Sequence, residues 1–427
     1  MLSKLRIVNF RSIVDLTLDF SYAEGKAPNG YKEMSTLPFL TAPNGERLVP
    51  CMAFFGANAS GKSNIIKALL TLNTISQGLG NKLLFDPNIL DPAKPTTMLQ
   101  IDFFVKKNTY QYTIVYDGTR ICEEELSHDG IPIYTIQDMI PFFSKQLSTE
   151  TYSVEKLAEI FKVESSDGNG KQTTAFLARI GNGYRGLNKN ITEVYDFFRS
   201  DLLAVSNTKD FPLPFAIDLI SKNTNQDKGK VLKDVVDIIK RLDIDIEDIK
   251  IKPRILSETE QAWIDKEVPA HLKSSFTNEI ISFHKTVTGD IIAANFHEME
   301  STGTIRLAGL IALLLFALQT GATLFIDEFD CSLHPLLVRE LISMFKKKRH
   351  NTTNAQLFFT THNTDILDDS ILRISEVATL RKIAGKGTII KSLVDLKREE
   401  GADIRNVTNF RRQYLDGFYS GIPYPAL

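Results

Sequence analysis

Residues 51–64 read CMAFFGANASGKSN, and the order of residue types in them decides the fold. The apolar run Val49–Phe55 has the short, bounded hydrophobicity of a buried strand, and after the lysine and serine Ile65, Ile66, Leu69 and Leu70 or Leu72 fall at helical spacing. Between the two, Gly56, Gly61, Lys62 and Ser63 match G-x-x-x-x-G-K-[ST]. A glycine-rich turn at the start of a helix aims backbone N–H groups at one point, where the helix dipole also favours negative charge. Gly56, Ala57, Asn58, Ala59, Ser60, Gly61, Lys62, Ser63 and Asn64 are therefore candidates to cradle phosphate. Lys62 would reach the β and γ oxygens, and Ser63 would bind Mg2+.

A phosphate cradle of this kind needs a magnesium-holding carboxylate, and TLFIDEFD at 323–330 offers one. Four strand residues end in Asp327 and Glu328, the Walker B pattern, with Asp327 expected on the metal and Glu328 expected to polarise an attacking water. Lys62 and Asp327 are 265 positions apart, more chain than a compact P-loop fold needs, so a large segment is inserted between them. Just before the Walker B strand, Ser301 and Gly303 precede a long apolar helix, expected from about Thr304 to Gln319. A hydroxyl and a glycine there make a second anion site, although the same residues fit a plain N-cap. His362, closing QLFFTTH, is expected at a strand end as a γ-phosphate sensor, while His334 in FDCSLHP could simply turn the chain into the next helix.

Working outward, MLSKLRIVNFRSIVDLTLDF suggests a strand pair, with Leu5 and Ile7 on one strand and Val14, Leu16, Leu18 and Phe20 on the other. Tyr22 to Glu46 reads as a surface excursion, and residues 98–130 as a β-meander turning at Lys107-Asn108 and Asp117-Gly118. From about Ile140 to Gly289 helical patterns alternate with Ser/Gly/Asn-rich loops. Val231, Val235, Ile238 and Leu242 follow a heptad-like spacing, but for less than two heptads, which points to a compact helical subdomain rather than a coiled-coil arm. Strands alternating with helices after residue 290 indicate a mostly parallel sheet. Three parts are expected: 1–139 with Walker A, a mainly helical insertion 140–289, and 290–427 with the signature, Walker B and switch histidine.

Composition narrows the function. Fifty basic residues nearly cancel 52 acidic ones in a chain of 427, so no global charge drives it to nucleic acid or an anionic membrane. Cys51, Cys122 and Cys331 are far apart and fit no metal spacing; they are expected as buried packing residues in a reducing compartment. The N-terminus lacks a signal-peptide pattern and the apolar stretch Leu307–Leu318 is too short for a bilayer, so a cytoplasmic chain with no membrane partner is expected.

In combination, LRIVNFRSI, GANASGKSN, ESTGT, FIDEFD followed by SLHP, TTH and the C-terminal YLDGFYSGIP resemble the AAA15 family of ABC-type ATPases, related to RecF, SMC and Rad50 heads and to OLD-family ATPases. The resemblance covers roughly residues 1–135 and 280–427. It implies an α/β, ABC-type P-loop head with a mixed sheet, an N-terminal meander lobe and a helical insertion, using ATP and Mg2+ as cofactors and hydrolysing ATP. It also implies a nucleotide role for Arg11, and a homodimer or higher oligomer in which ATP is sandwiched between Gly56–Ser63 of one protomer and Ser301 and Gly303 of the other. The signature reads STGT where the family has SGGQ, and no Q-loop glutamine is assigned. Chains of this kind resemble ATPase components of anti-phage systems such as PARIS, Septu and Abi, which implies a sensor or regulator controlling a co-encoded toxin or nuclease. No carboxylate cluster follows His362, so such an effector is expected on a separate chain. The alternative is a RecF- or SMC-like ATPase that clamps DNA, for which FKKKRH at 345–350 and RKIAGKGTIIK at 381–391 are the candidate surfaces.

Overall fold

A computed structural model describes residues 1–22, 39–79, 83–90, 94–144, 154–164, 172–185, 188–206, 213–242, 244–268, 273–330, 333–368, 370–395 and 410–417. The alternation at the N-terminus closes as an antiparallel hairpin, β1 (Leu2–Phe10) and β2 (Ile13–Asp19), in register Leu5 to Leu18 and Ile7 to Leu16. A small ribbon, β3 (Leu40–Thr41) and β4 (Arg47–Leu48), precedes the buried strand β5 (Cys51–Gly56). Leu40, Ala42 and Leu48 bury against Phe104, so this end of the expected surface excursion is packed; residues 23–38 lie outside the described residues. The meander follows as β6 (Thr97–Val105), β7 (Asn108–Tyr116), β8 (Ile121–His128), β9 (Ile131–Gln137) and β10 (Ile140–Phe143). With β1 and β2 it makes a seven-stranded sheet in the order β10-β9-β8-β7-β6-β1-β2.

The remaining strands are β11 (Leu202–Val205), β12 (Asp248–Pro253), β13 (Asn278–Lys285), β14 (Ile291–Asn295), β15 (Thr323–Ile326), β16 (Gln356–Thr360), β17 (Val377–Ile383) and β18 (Gly387–Ser392). Six strands form the central sheet, β11-β15-β16-β5-β17-β18, with β11 through β17 mutually parallel and β18 antiparallel at the edge. β12, β13 and β14 form a separate antiparallel sheet outside the central one.

The central sheet is sandwiched, and its period-two alternation shows how. Phe54, Phe325 and Phe358 face one core with the meander lobe, where Phe20 stacks on Phe358 at 4.2 Å; the helix Lys62–Gln77 lies in this layer through Ile65, Ile66, Leu69 and Leu72. Ala53, Phe55, Leu324, Ile326, Leu357 and Phe359 face a second core built from helices Leu213–Thr224, Lys228–Arg241, Thr302–Thr320 and Pro335–Lys346. Gln356, fully buried, fastens the lobes: its side chain accepts from Leu2 N at 2.6 Å and donates to Leu2 O at 3.1 Å.

The segment 140–289 is woven into both cores. Its first residues form β10, its helices Phe176–Gly183 and Lys189–Asp196 pack under the meander, and β11 becomes an edge of the central sheet. Glu124 of β8 is buried beneath the start of Phe176–Gly183, accepting from Phe176 N, Leu177 N, Tyr112 Oη, Tyr134 Oη and Gln172 Nε2. Burial pushes its carboxyl up, and the two backbone N–H groups and the two tyrosine hydroxyls hold it back. In Lys228–Arg241 the buried stripe is Val231, Val235, Val236 and Ile239, while Ile238 and Leu242 are only partly covered. The helix therefore keeps a globular 3.6-residue period and does not continue the short heptad-like spacing.

Two further expectations change. Cys122 is only partly buried, with Sγ 3.8 Å from Asp117, whereas Cys51 is fully buried; Cys331 lies outside the described residues. The apolar helix runs nineteen residues, Thr302–Thr320, and by length and composition is long enough to cross a bilayer. Here it is the central strut of the second core, covered on several sides by the helices around it.

Candidate functional site

All the motif strands reach the same edge of the central sheet, because β5, β15 and β16 are parallel neighbours in the order β15-β16-β5. Their C-terminal ends carry the P-loop, the Walker B acids and His362, the edge where parallel α/β sheets place ligands.

The P-loop is tight. Gly61, at φ 103°, is left-handed, and a Cβ there would sit 2.2 Å from Thr388 Oγ1. At Gly56 a Cβ would lie 2.5 Å from Leu380 O and 2.6 Å from Ser60 Oγ. A side chain at Gly56 would have to move the Leu380 backbone, and one at Gly61 would collide with Thr388 and Ser12 in a left-handed conformation that L residues rarely adopt. Lys62 is buried and donates from Nζ to Gly56 O at 2.7 Å and Ala57 O at 3.1 Å. Burial lowers its proton affinity, and the nearby charges of Asp327, Glu328 and Asp330 raise it. The first helical turn carries no acidic residue, and Ser60 Oγ is buried without a partner among the described residues. The donor set and this cradle fit a polyphosphate, with Ser63 and Asp327 able to share a divalent cation.

Walker B is held from β16. Thr360 Oγ1 donates to Asp327 Oδ1 and accepts from Glu328 N at 2.8 Å, so one hydroxyl sets both acids. Glu328 has a left-handed backbone at φ 48°, and its carbonyl accepts from Arg306 Nη2 at 2.7 Å. Asp327 is buried and the Glu328 side chain is exposed. β11 adds a further tie, since Asp327 N donates to Val205 O at 2.9 Å. His362 is exposed two residues beyond β16; partial desolvation of its ring and the Lys62 charge push its proton affinity down.

The other predicted positions fall as follows. Ser301 is the N-cap of Thr302–Thr320, accepting from Thr304 N at 3.1 Å, and with Gly303 it lies at the exposed start of that helix. Neither hydrogen-bonds the P-loop of its own chain among the described residues. His334 likewise caps Pro335–Lys346, its Nδ1 accepting from Leu336 N at 3.3 Å. Asn64 donates to Ser12 Oγ at 2.7 Å, and Arg11 pairs with Asp86 at 2.8 Å rather than with the loop.

Four residues that the motifs do not announce complete the site. Ser12 Oγ and Thr388 Oγ1 lie 2.7 Å apart, Thr388 Oγ1 donates to Ser60 O at 3.0 Å, and Thr388 N donates to Ser12 O at 2.7 Å. The β1–β2 turn and the β17–β18 hairpin thus brace the P-loop from two sides. Thr360 and Arg306 brace Walker B. A hydroxyl at a strand end could have flagged Thr360, but Ser12 and Thr388 come together only through the fold. Of the two basic runs, Lys346 is buried against Glu376, and residues 381–391 form this bracing hairpin.

Similar solved structures include an SMC head bound to the C-winged helix domain of ScpA, at 13% identity and TM-score 0.44, covering 94% of this chain and 99% of that one. An SMC head domain from Thermotoga maritima matches at 13% and 0.39, covering 92% and 98%. An SMC head from Pyrococcus furiosus with an extended coiled coil, bound to the C-terminal domain of ScpA, matches at 12% and 0.40, covering 94% and 98%. No curated protein matches the chain. A family model described as "AAA domain, putative AbiEii toxin, Type IV TA system" matches residues 51–368, from the P-loop strand through Walker B to the residues just past His362. With a braced phosphate cradle and paired acids on one sheet edge inside that match, the chain belongs to this AAA domain family and is a P-loop ATPase.

Proposed function

We propose that the chain is an ATP-hydrolysing switch of the AAA15 type that regulates a separate effector in anti-phage defence. The observation that carries the ATPase reading is the convergence of Lys62, Asp327 and Glu328 at the C-terminal ends of β5 and β15, the two parallel strands that flank β16. The N–H groups from Gly56 to Asn64 hold the phosphates, Lys62 leaves its two carbonyl partners for the β and γ oxygens, and Ser63 and Asp327 hold Mg2+. When bound, Mg2+ neutralises charge on those oxygens. Glu328 orients the attacking water and takes its proton, and His362 donates an N–H to the γ-phosphate. Exposed Ser301 and half-buried Gly303, at a helix N-terminus, meet the nucleotide of a second copy, giving a head-to-head dimer.

The halves 1–139 and 290–427 act as the head. The insertion 140–289, attached to both cores and to Asp327 through β11, carries closure to a partner surface. The toxin–antitoxin wording of the family description is compatible with an effector system. The test is phage protection in a bacterial host carrying the chain with its neighbouring genes. Protection should require Lys62, Glu328 and a second, co-encoded protein; full protection by this chain with no partner gene would overturn the regulatory reading.

A further inference from the structure

At the edge of the central sheet opposite the P-loop, a cavity of about 1310 Å³ opens between the insertion and the second core. The ends of helices Lys228–Arg241, Thr302–Thr320 and Pro335–Lys346 converge on it, as does a π-helical turn, Phe197–Asp201, that leads directly into β11. Single π turns inside helices recur at functional sites. The volume exceeds the roughly 300–1,000 Å³ of ordinary small-molecule sites.

We propose that this cavity binds a phosphorylated small molecule of nucleotide size. Arg199, Arg241, Lys347 and Arg349 line it. Of the carboxylates that share the wall, Glu340 pairs with Lys347 at 3.5 Å, Asp196 pairs with Arg185, and burial pushes the Asp201 carboxyl up toward its neutral form. Arg199 and Arg241 form no ion pair among the described residues, and Arg349 donates only from Nε, to His350 Nε2 at 3.0 Å. Three guanidinium forks thus face one volume without carboxylate partners, the arrangement that suits bidentate phosphate contacts. Their charge is felt locally: after burial, Arg349, Lys347 and Arg241 are what hold the His350 proton affinity down.

Two acceptors complete the wall. Gln226 Oε1 and Gln319 Oε1 are buried and have no hydrogen-bond partner among the described residues. Buried amide oxygens are costly unless a donor meets them. A ligand joining phosphate to N–H or O–H donors, as a nucleotide does, satisfies both the guanidinium and the amide sides. Helix-terminus electrostatics account for basic residues at helix ends, but not for the orphan amides or for the volume.

The Lys62→Ala chain, in which the P-loop has lost its phosphate lysine, serves as the host for the test, with GMP, ATP and inorganic tripolyphosphate titrated separately by calorimetry. At least one should bind one to one, and the double variant Arg199→Gln, Arg241→Gln should weaken that binding about tenfold or more. Both arginines are exposed, so the double variant should fold, which a matching melting curve verifies. Binding of nucleotides but not tripolyphosphate would support the site with a nucleotide as its ligand, and binding of tripolyphosphate as well would support it with phosphate sufficient. No binding of any probe at millimolar concentration, or binding unchanged in the double variant, overturns the proposal.

Discussion

Glu328 sits in a backbone conformation that side chains avoid, φ 48°, and two contacts keep it there: its N–H on Thr360 Oγ1 and its carbonyl on Arg306. Such conformations cost about 1–3 kcal/mol and persist where surrounding structure over-determines them. The carboxylate itself is left exposed beside a buried Asp327, which suits a group that must reach a water. Glu328→Gln keeps the shape and removes the base, so nucleotide affinity should be retained while turnover falls about 10²-fold or more. If ATP closes two copies head to head as proposed, hydrolysis would no longer reopen them, and the variant should accumulate with ATP as a two-chain species in light scattering. Wild-type turnover would move the catalytic role elsewhere, and a monomer at saturating ATP would contradict the head-to-head arrangement. Lys62 and Asp327 were legible because each belongs to a local pattern with a strand before it. Arg11, to which the resemblance pointed, pairs with Asp86, and Ser12 beside it touches the loop network.

At the scale of elements, the turn Phe197–Asp201 shows what a pattern reading misses. Residues 194–205 carry no strand signal that distinguishes β11 from the helix before it, and β11 is a strand only because β15 offers it a parallel edge. Asp201, at that junction, has its carboxyl pushed up to about 6 by burial, against the opposing pull of the Met1 ammonium. A carboxyl raised in the folded state favours folding while protonated, so its contribution is present at low pH and lost as pH rises from about 4 through 6. Asp201→Asn keeps the neutral shape at every pH. It should therefore match the wild type near pH 4 and exceed it above pH 6.5 by about 1–2 kcal/mol in urea unfolding. Equal stability at both pH values would show that Asp201 ionises without cost. In Lys228–Arg241, too, side-chain spacing alone does not say which face a neighbouring helix covers, and the core takes Val236 and Ile239 in place of Ile238 and Leu242.

For the whole molecule, the three-layer sandwich follows from alternation on the central strands: Phe54, Phe325 and Phe358 turn to the meander, and Phe55, Ile326 and Phe359 turn to the helices. The parallel sheet was legible from strand–helix alternation, and the meander from its turns. The weaving of 140–289 into both cores was not, because it rests on long-range partners such as Glu124 beneath Phe176–Gly183 and β11 beside β15. The sandwich brings Lys62 and Asp327, 265 positions apart in the chain, to one sheet edge, and that convergence is the central claim. It is tested most directly by phosphate release from Mg2+-ATP, comparing the purified wild type with a folded Lys62→Ala chain. Slow, Mg2+-dependent release by the wild type is expected, with a loss of at least about tenfold in the variant, the cost of one charge-assisted contact. Equal rates from the two chains would contradict it.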